Sequence, residues 1–415
     1  LYVFIDIFTF HNRNFLEYIL IMKSVIKIPK GITLEKLEDL LAKLQKSVTS
    51  TDLEIPLSID YRGFGILPGL YLLLFTWMRT KKGNVIMDFD LEDEESFKNF
   101  SVDYYGYVVL STLWKDYDFI NKDGISIKKY FKDYTLSMHR YIDSLSNDLP
   151  KESVMIPCFD HYSYEKGLSH WFYSNDFSFT DSPSGLDNSL YHIITKLSIN
   201  YKGRVVRNLR DSFDSMSKIV WELLKNTDEH AKKDFLGERK LQPNTRGLFM
   251  RIHRSSKKGF IEGTDHEGLK KYYRSSFYQE DADCFLLEIS VFDSGPGMVK
   301  RFLNSSYDDS LTIDDEINVL RKCLIKGQTS VTGAEGKNKG YGLDEVLNLL
   351  NDKRGFLKIR SGRCSIYRDL INSPYRVTQD SAEVELLDWI KSSNINYSEM
   401  KITEGTLVTL VYPLL

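Results

Sequence analysis

Between Met216 and Ala231, the residues Met216, Val220, Leu223, Leu224, Thr227 and Ala231 return at the three-and-four spacing of one helix face. That spacing predicts a helix with one side in a core. Within the same stretch, WELLKNTDEHA, the residues Glu222, Asn226 and Glu229 stack on the other side, because positions three and four apart are neighbours on a helix surface. A carboxylate and a carboxamide one turn apart are thus carried on a rigid element and aimed away from the core. Alone, such a face reads as solvated. A chemical role depends on the segments downstream in the chain.

Three such segments come in order. LLEISVFDSGPGM (286–298) is an apolar run ending in Asp293, Ser294, Gly295, Pro296 and Gly297. GKNKGYGLDEVLNLL (336–350) is glycine-rich and runs into a helical pattern, and EGTLVTLVYPL (404–414) is a closing strand with Gly405 and Thr406 at its start. Each pattern is common by itself. Together, in this order and on these elements, they specify an arrangement.

The arrangement resembles the ATP-binding domain of the GHKL superfamily, named for DNA gyrase, a heat-shock chaperone, histidine kinases and the mismatch-repair MutL proteins. The resemblance covers 208–415, about half of the chain. It implies an α/β sandwich of the Bergerat type, with ATP and Mg2+ as ligands. By the same resemblance Asn226 supplies the metal's protein oxygen, and Glu222 polarises the attacking water. Mg2+ prefers octahedral oxygen ligands and commonly takes only one or two from protein. Asp293 would accept from the adenine amino group, directly and through a water shared with Thr406, while Gly295 and Gly297 let backbone approach the base. Gly340, Gly342 and Leu343 would open a helix whose free N–H groups favour phosphate. The preceding 326–339 fits the family's ATP lid; its Lys337 and Lys339 read equally as phosphate-facing or as solvated lysines. His230 follows the helix signature and is expected to be structural. Two departures from relatives are expected. One is the lack of a second domain supplying a further phosphate-contacting lysine; the other is the lack of a receiver domain or phospho-accepting histidine box.

The rest of the chain is less specific. Its 415 residues suggest two or three domains, and 42% hydrophobic with 27% charged residues describes an ordinary globular composition. A formal charge of −3 implies no whole-chain attraction to nucleic acid or anionic membrane. The arginines at 354, 360, 363 and 368 read as solvated strand faces. Four scattered cysteines without a CxxC pair favour reduced thiols and a cytoplasmic protein. Cys158, His161 and His170 fall below a zinc pattern. No apolar run reaches the ~18 residues of a membrane span. Residues 1–21 are read as an extension, with Met22 as the expected natural start and a docked helix as the competing reading.

From Ser24 to Phe89 the pattern is βαβαβ, a small α/β domain over 22–100. Its loop, Phe64 to Gly69, followed by an apolar helix, is architecturally STAS-like but lacks an evident phosphorylatable residue. Residues 101–189 read as a helical, aromatic-rich connection, with His139 as a structural histidine. The domain of the GHKL type spans 190–415 with an insertion near 232–280, where Ser255 to Gln279 is expected to be loop or hairpin. Three functions fit. The first is an ATPase switch, with lid closure changing contacts to a protein partner or a second copy. The second is a serine protein kinase of the anti-sigma-factor type acting on a STAS partner. The third is an ATP-binding module that does not hydrolyse.

Overall fold

A computed structural model of the chain describes residues 24–61, 63–280, 282–325 and 342–414. The expected N-terminal extension, the start at Met22 and the lid with Lys337, Lys339 and Gly340 lie outside the described residues. The fold is mixed α/β, with one parallel and one antiparallel sheet as its principal layers.

Strands β1 (Ser24–Lys27), β2 (Thr51–Ile55), β3 (Val85–Met87) and β4 (Phe119–Ile120) form a parallel sheet in sequential order. Right-handed crossovers that always step the same way keep their helices on one face. These are α1 (Leu34–Lys46), α2 (Ile66–Thr80) and α3 (Tyr104–Leu113). Accordingly Ile26, Leu53, Ile55, Val85, Met87 and Phe119 are buried, while the other face carries the exposed Val25 and a Lys27–Glu54 ion pair of 2.6 Å. Thr33 caps α1 by accepting from the Lys36 N–H, and Leu37, Leu40, Leu41 and Leu44 supply its buried stripe.

Helix α2 has no exposed stripe: Leu70 to Phe75 and Trp77 are all buried. A helix apolar all round needs cover on every side. The second cover is the antiparallel sheet, made of β5 (Ser153–Phe159), β6 (Thr245–Ser256), β7 (Asp283–Asp293), β8 (Phe356–Gly362), β9 (Cys364–Asp369), β10 (Leu387–Asp388) and β11 (Thr403–Pro413). Its spatial order is β10-β9-β8-β11-β7-β6-β5. Tyr71 and Phe75 of α2 pack on Phe292 of β7 with ring centroids 5.1 and 6.3 Å apart. The Glu404 N–H at the start of β11 donates to Thr76 Oγ1 at 3.0 Å. The N-terminal α/β layers and the large sheet therefore share one core, with α2 between them. No seam falls at residue 100, and the sheet reaches back past 190 to take in β5. The run Val154, Met155 and Ile156 is buried throughout, as a strand covered on both faces must be.

Helices α4 (Asp187–Leu197), α5 (Phe213–His230), α6 (Glu267–Arg274) and α7 (Gly342–Asp352) complete the packing. α5 lies against β6, β7 and α7. The expected loop at 255–279 is instead helical, at Lys257–Glu262 and in α6. Leu269, Tyr272 and Tyr273 form one short apolar face that joins Leu286, Phe356, Tyr367, Trp389 and Val411 in a second core. The expectation of solvated arginines also fails for three of the four: Arg363 is largely covered and forks onto the buried Glu316, and two others are fully buried. Arg360 is buried and forks onto Glu38 at 2.8 and 3.0 Å, and Arg368 is buried near Tyr375, because both strand faces are covered. Among the described residues no helix is long and apolar enough to cross a membrane.

Candidate functional site

Register across the large sheet aligns six residues from six strands. Cys158 pairs with Arg246, Arg246 with Asp293, Asp293 with Thr406, Thr406 with Ser361, and Ser361 with Cys364. Side chains of paired residues share a face. The Arg246–Asp228 ion pair, 3.3 Å, identifies that face as the one under α5. The next rung on this face is wholly apolar: Ile156, Leu248, Val291, Val408, Ile359 and Ile366. All members of the polar rung are buried, so its groups must be matched within the protein or by a ligand.

Arg246 is matched internally. It forks onto Asp160 at 2.9 and 2.8 Å and neighbours Asp228, which also receives the Tyr173 hydroxyl and Lys232 Nζ. This network anchors the C-terminal end of α5 to the sheet. A second tie runs from the Ala231 carbonyl to Asn244 Nδ2 at 2.8 Å, and from Asn244 Oδ1 to the Ser294 hydroxyl at 2.7 Å. The end of the helix is thereby held against the turn at the close of β7.

Asp293 is the last residue of β7. Its Oδ1 accepts from the Gly295 N–H at 2.8 Å. Burial pushes its carboxyl up to about 7, partly offset by backbone donors at Gly295 and Thr406 and by the Arg246 charge. The glycines expected here have steric reasons. A Cβ on Gly295 would lie 2.7 Å from Ala231 Cα and 3.0 Å from Asp293 Oδ1. Gly405, at φ 88°, donates to the Gly295 carbonyl, and a Cβ on it would lie 1.9 Å from the Asp293 carbonyl oxygen. Gly297, at φ 89°, starts the short helix Met298–Leu303, whose first N–H donates to Ser361 Oγ at 2.9 Å. Ser361 Oγ is also 3.0 Å from Thr406 Oγ1.

Glu222 and Asn226 are half-buried on α5, opposite the buried Met216, Val220, Leu223 and Leu224. The Glu222 carboxylate rests on the start of α7, where a Cβ on Gly342 would come within 2.0 Å of its Oε2. Burial raises the Glu222 carboxyl above its ordinary value. Lys225 pulls the other way, and Glu345 and Glu229 reinforce the rise. Leu343 is half-buried and packs against the main core.

Thus Asp293, Gly295, Gly297 and Thr406 come together at one sheet end, and Glu222 meets Gly342 along the same helix that carries Asn226. Lys337, Lys339 and Gly340 lie outside the described residues. Sequence reading missed Ser361, Arg246, Asp228 and Asn244. Only Ser361 left a trace, as a small polar residue before Gly362 in a strand otherwise apolar or basic. The candidate histidines have local partners: His139 contacts Tyr107 and Asp143, and His161 contacts the Asn244 and Ser111 carbonyls. His230 lies 3.9 Å from Glu229. Comparison with known proteins finds no matching family model, no matching curated protein and no matching solved structure.

Proposed function

We propose that this chain binds ATP with Mg2+ through a GHKL-type domain of Bergerat architecture and hydrolyses it slowly, its nucleotide state being read by a protein partner. The observation that carries the reading is the buried polar rung, in which Asp293 and Thr406 stand side by side beneath the helix bearing Glu222 and Asn226.

The residues present fit an adenine nucleotide. Asp293 offers a buried carboxylate that accepts from the Gly295 N–H through Oδ1, feels the Thr406 backbone N–H as a second donor and has further lone pairs for a ligand, and Gly295 and Gly405 keep the surrounding backbone free of side chains. A buried acceptor left to a ligand discriminates strongly, because the wrong partner leaves it unpaired. Asn226, half-buried one turn from Glu222 on α5, would supply a neutral oxygen to magnesium, which when bound would balance phosphate charge. Glu222, raised by burial above its ordinary value, is suited to accept a proton from water or from a hydroxyl. Its contact with Gly342 puts it at the N-terminal end of α7, where backbone N–H groups and the helix dipole favour an anion.

Two measurements on purified protein test the proposal. Thermal melting in millimolar ATP should rise with Mg2+ present, as expected for a ligand that binds only the folded state. Inorganic phosphate should then be released without a second protein. No shift at millimolar Mg·ATP would overturn the assignment. Label transfer to a serine of a partner, in place of phosphate release, would convert it to the protein-kinase reading.

A further inference from the structure

We infer that Ser361 is a specificity-determining residue: it sets the direction of the Thr406 hydroxyl, so that the site presents an acceptor at Asp293 beside a donor at Thr406 and selects adenine over guanine. This rests on the ATP-binding reading and extends it to a residue outside the motifs that suggested it.

Ser361 is buried and sits directly across from Thr406 in the β8–β11 register. Its oxygen accepts the Met298 N–H at 2.9 Å. Its one proton has two acceptors within reach, Thr406 Oγ1 at 3.0 Å and the Gly405 carbonyl at 3.5 Å. The shorter contact is the better hydrogen bond. A hydroxyl donates once and accepts twice. With Ser361 donating to it, Thr406 keeps its own proton for the ligand, directly or through one water.

Adenine presents an amino donor next to a ring-nitrogen acceptor on its Watson–Crick edge. Guanine presents a carbonyl acceptor next to a ring N–H donor. An acceptor at Asp293 beside a donor at Thr406 matches the first pair and opposes the second at both positions. Without Ser361, the Thr406 hydroxyl can rotate and offer a lone pair to the guanine ring N–H. Half of the mismatch is then relieved.

The test is the ratio of ATP to GTP affinity by calorimetry, in the parent, Ser361→Ala, Ser361→Thr, Thr406→Val and the Ser361→Ala/Thr406→Val double variant. In Ser361→Ala the preference for ATP should fall about tenfold, equivalent to ~1.4 kcal/mol. Ser361→Thr keeps the hydroxyl and should restore the preference. Adding Ser361→Ala to Thr406→Val should change the ratio no further, since Ser361 acts through Thr406. An unchanged ratio in Ser361→Ala with a native melting transition would overturn the inference. So would a further fall in the double variant. Failure of the parent to bind ATP would instead refute the underlying assignment.

Discussion

Replacing Asp293 with asparagine should stabilise the fold at neutral and alkaline pH while removing nucleotide binding. Burial drives this carboxyl from its ordinary 3.8 up to about 7, against the smaller pull of the backbone donors. Because the folded-state value is raised, the group's contribution to stability is fully present below pH ~4 and is lost as pH rises through about 7. At about 1.4 kcal/mol per pKa unit, that displacement corresponds to ~4 kcal/mol above neutrality. Asparagine keeps an oxygen for the Gly295 N–H, now 2.8 Å from Asp293 Oδ1, and cannot ionise. The unfolding free energy of the variant relative to the parent should therefore climb between pH 4 and 7. Above that it should level off, on the order of 4 kcal/mol over its acid value. Urea titrations across pH 4 to 9 measure this directly. A difference that stays flat with pH would refute burial as the cause of the shift. In the parent, the same logic makes ATP affinity rise with pH through this window, since the base requires the ionised acceptor.

Glu222→Ala should leave ATP affinity largely intact and lower phosphate release by ~10²–10⁴-fold, the usual loss for a general base. Asn226→Ala should instead weaken Mg·ATP binding, measured by calorimetry with and without the metal. Neither change should unfold α5, where alanine is the best helix former. Gly405→Ala should be destabilising, because a Cβ at φ 88° would meet the Asp293 carbonyl oxygen at 1.9 Å; a melting temperature equal to the parent's would contradict that close approach. Arg246→Leu would leave the half-buried Asp160 without its cation and Asp228 with Lys232 alone, and should cost on the order of 3 kcal/mol in urea unfolding.

What the sequence reveals here is what one chain segment carries by itself. The apolar stripe of α5, the apolar run of β7 and the glycine-rich turn after Asp293 each reflect local periodicity or turn chemistry that a single segment carries. The polar rung is different in kind. Arg246, Asp293, Ser361 and Thr406 are far apart in sequence and meet only through strand register, which no single segment encodes. The same limit explains α2. Its unbroken apolar composition announced burial but not that a second sheet provides it. It also explains α6, whose face of Leu269, Tyr272 and Tyr273 is too short to stand out among lysines until the sheet beneath it is known.

The central claim is that Asp293 is the buried acceptor of an adenine nucleotide. Its most direct test is calorimetric titration of ATP, with Mg2+ at pH 8, into the parent and Asp293→Asn side by side. Saturable binding in the parent is predicted, together with its loss in a variant that melts no lower. Absent heat in the parent, or equal affinity in the two proteins, would contradict the claim.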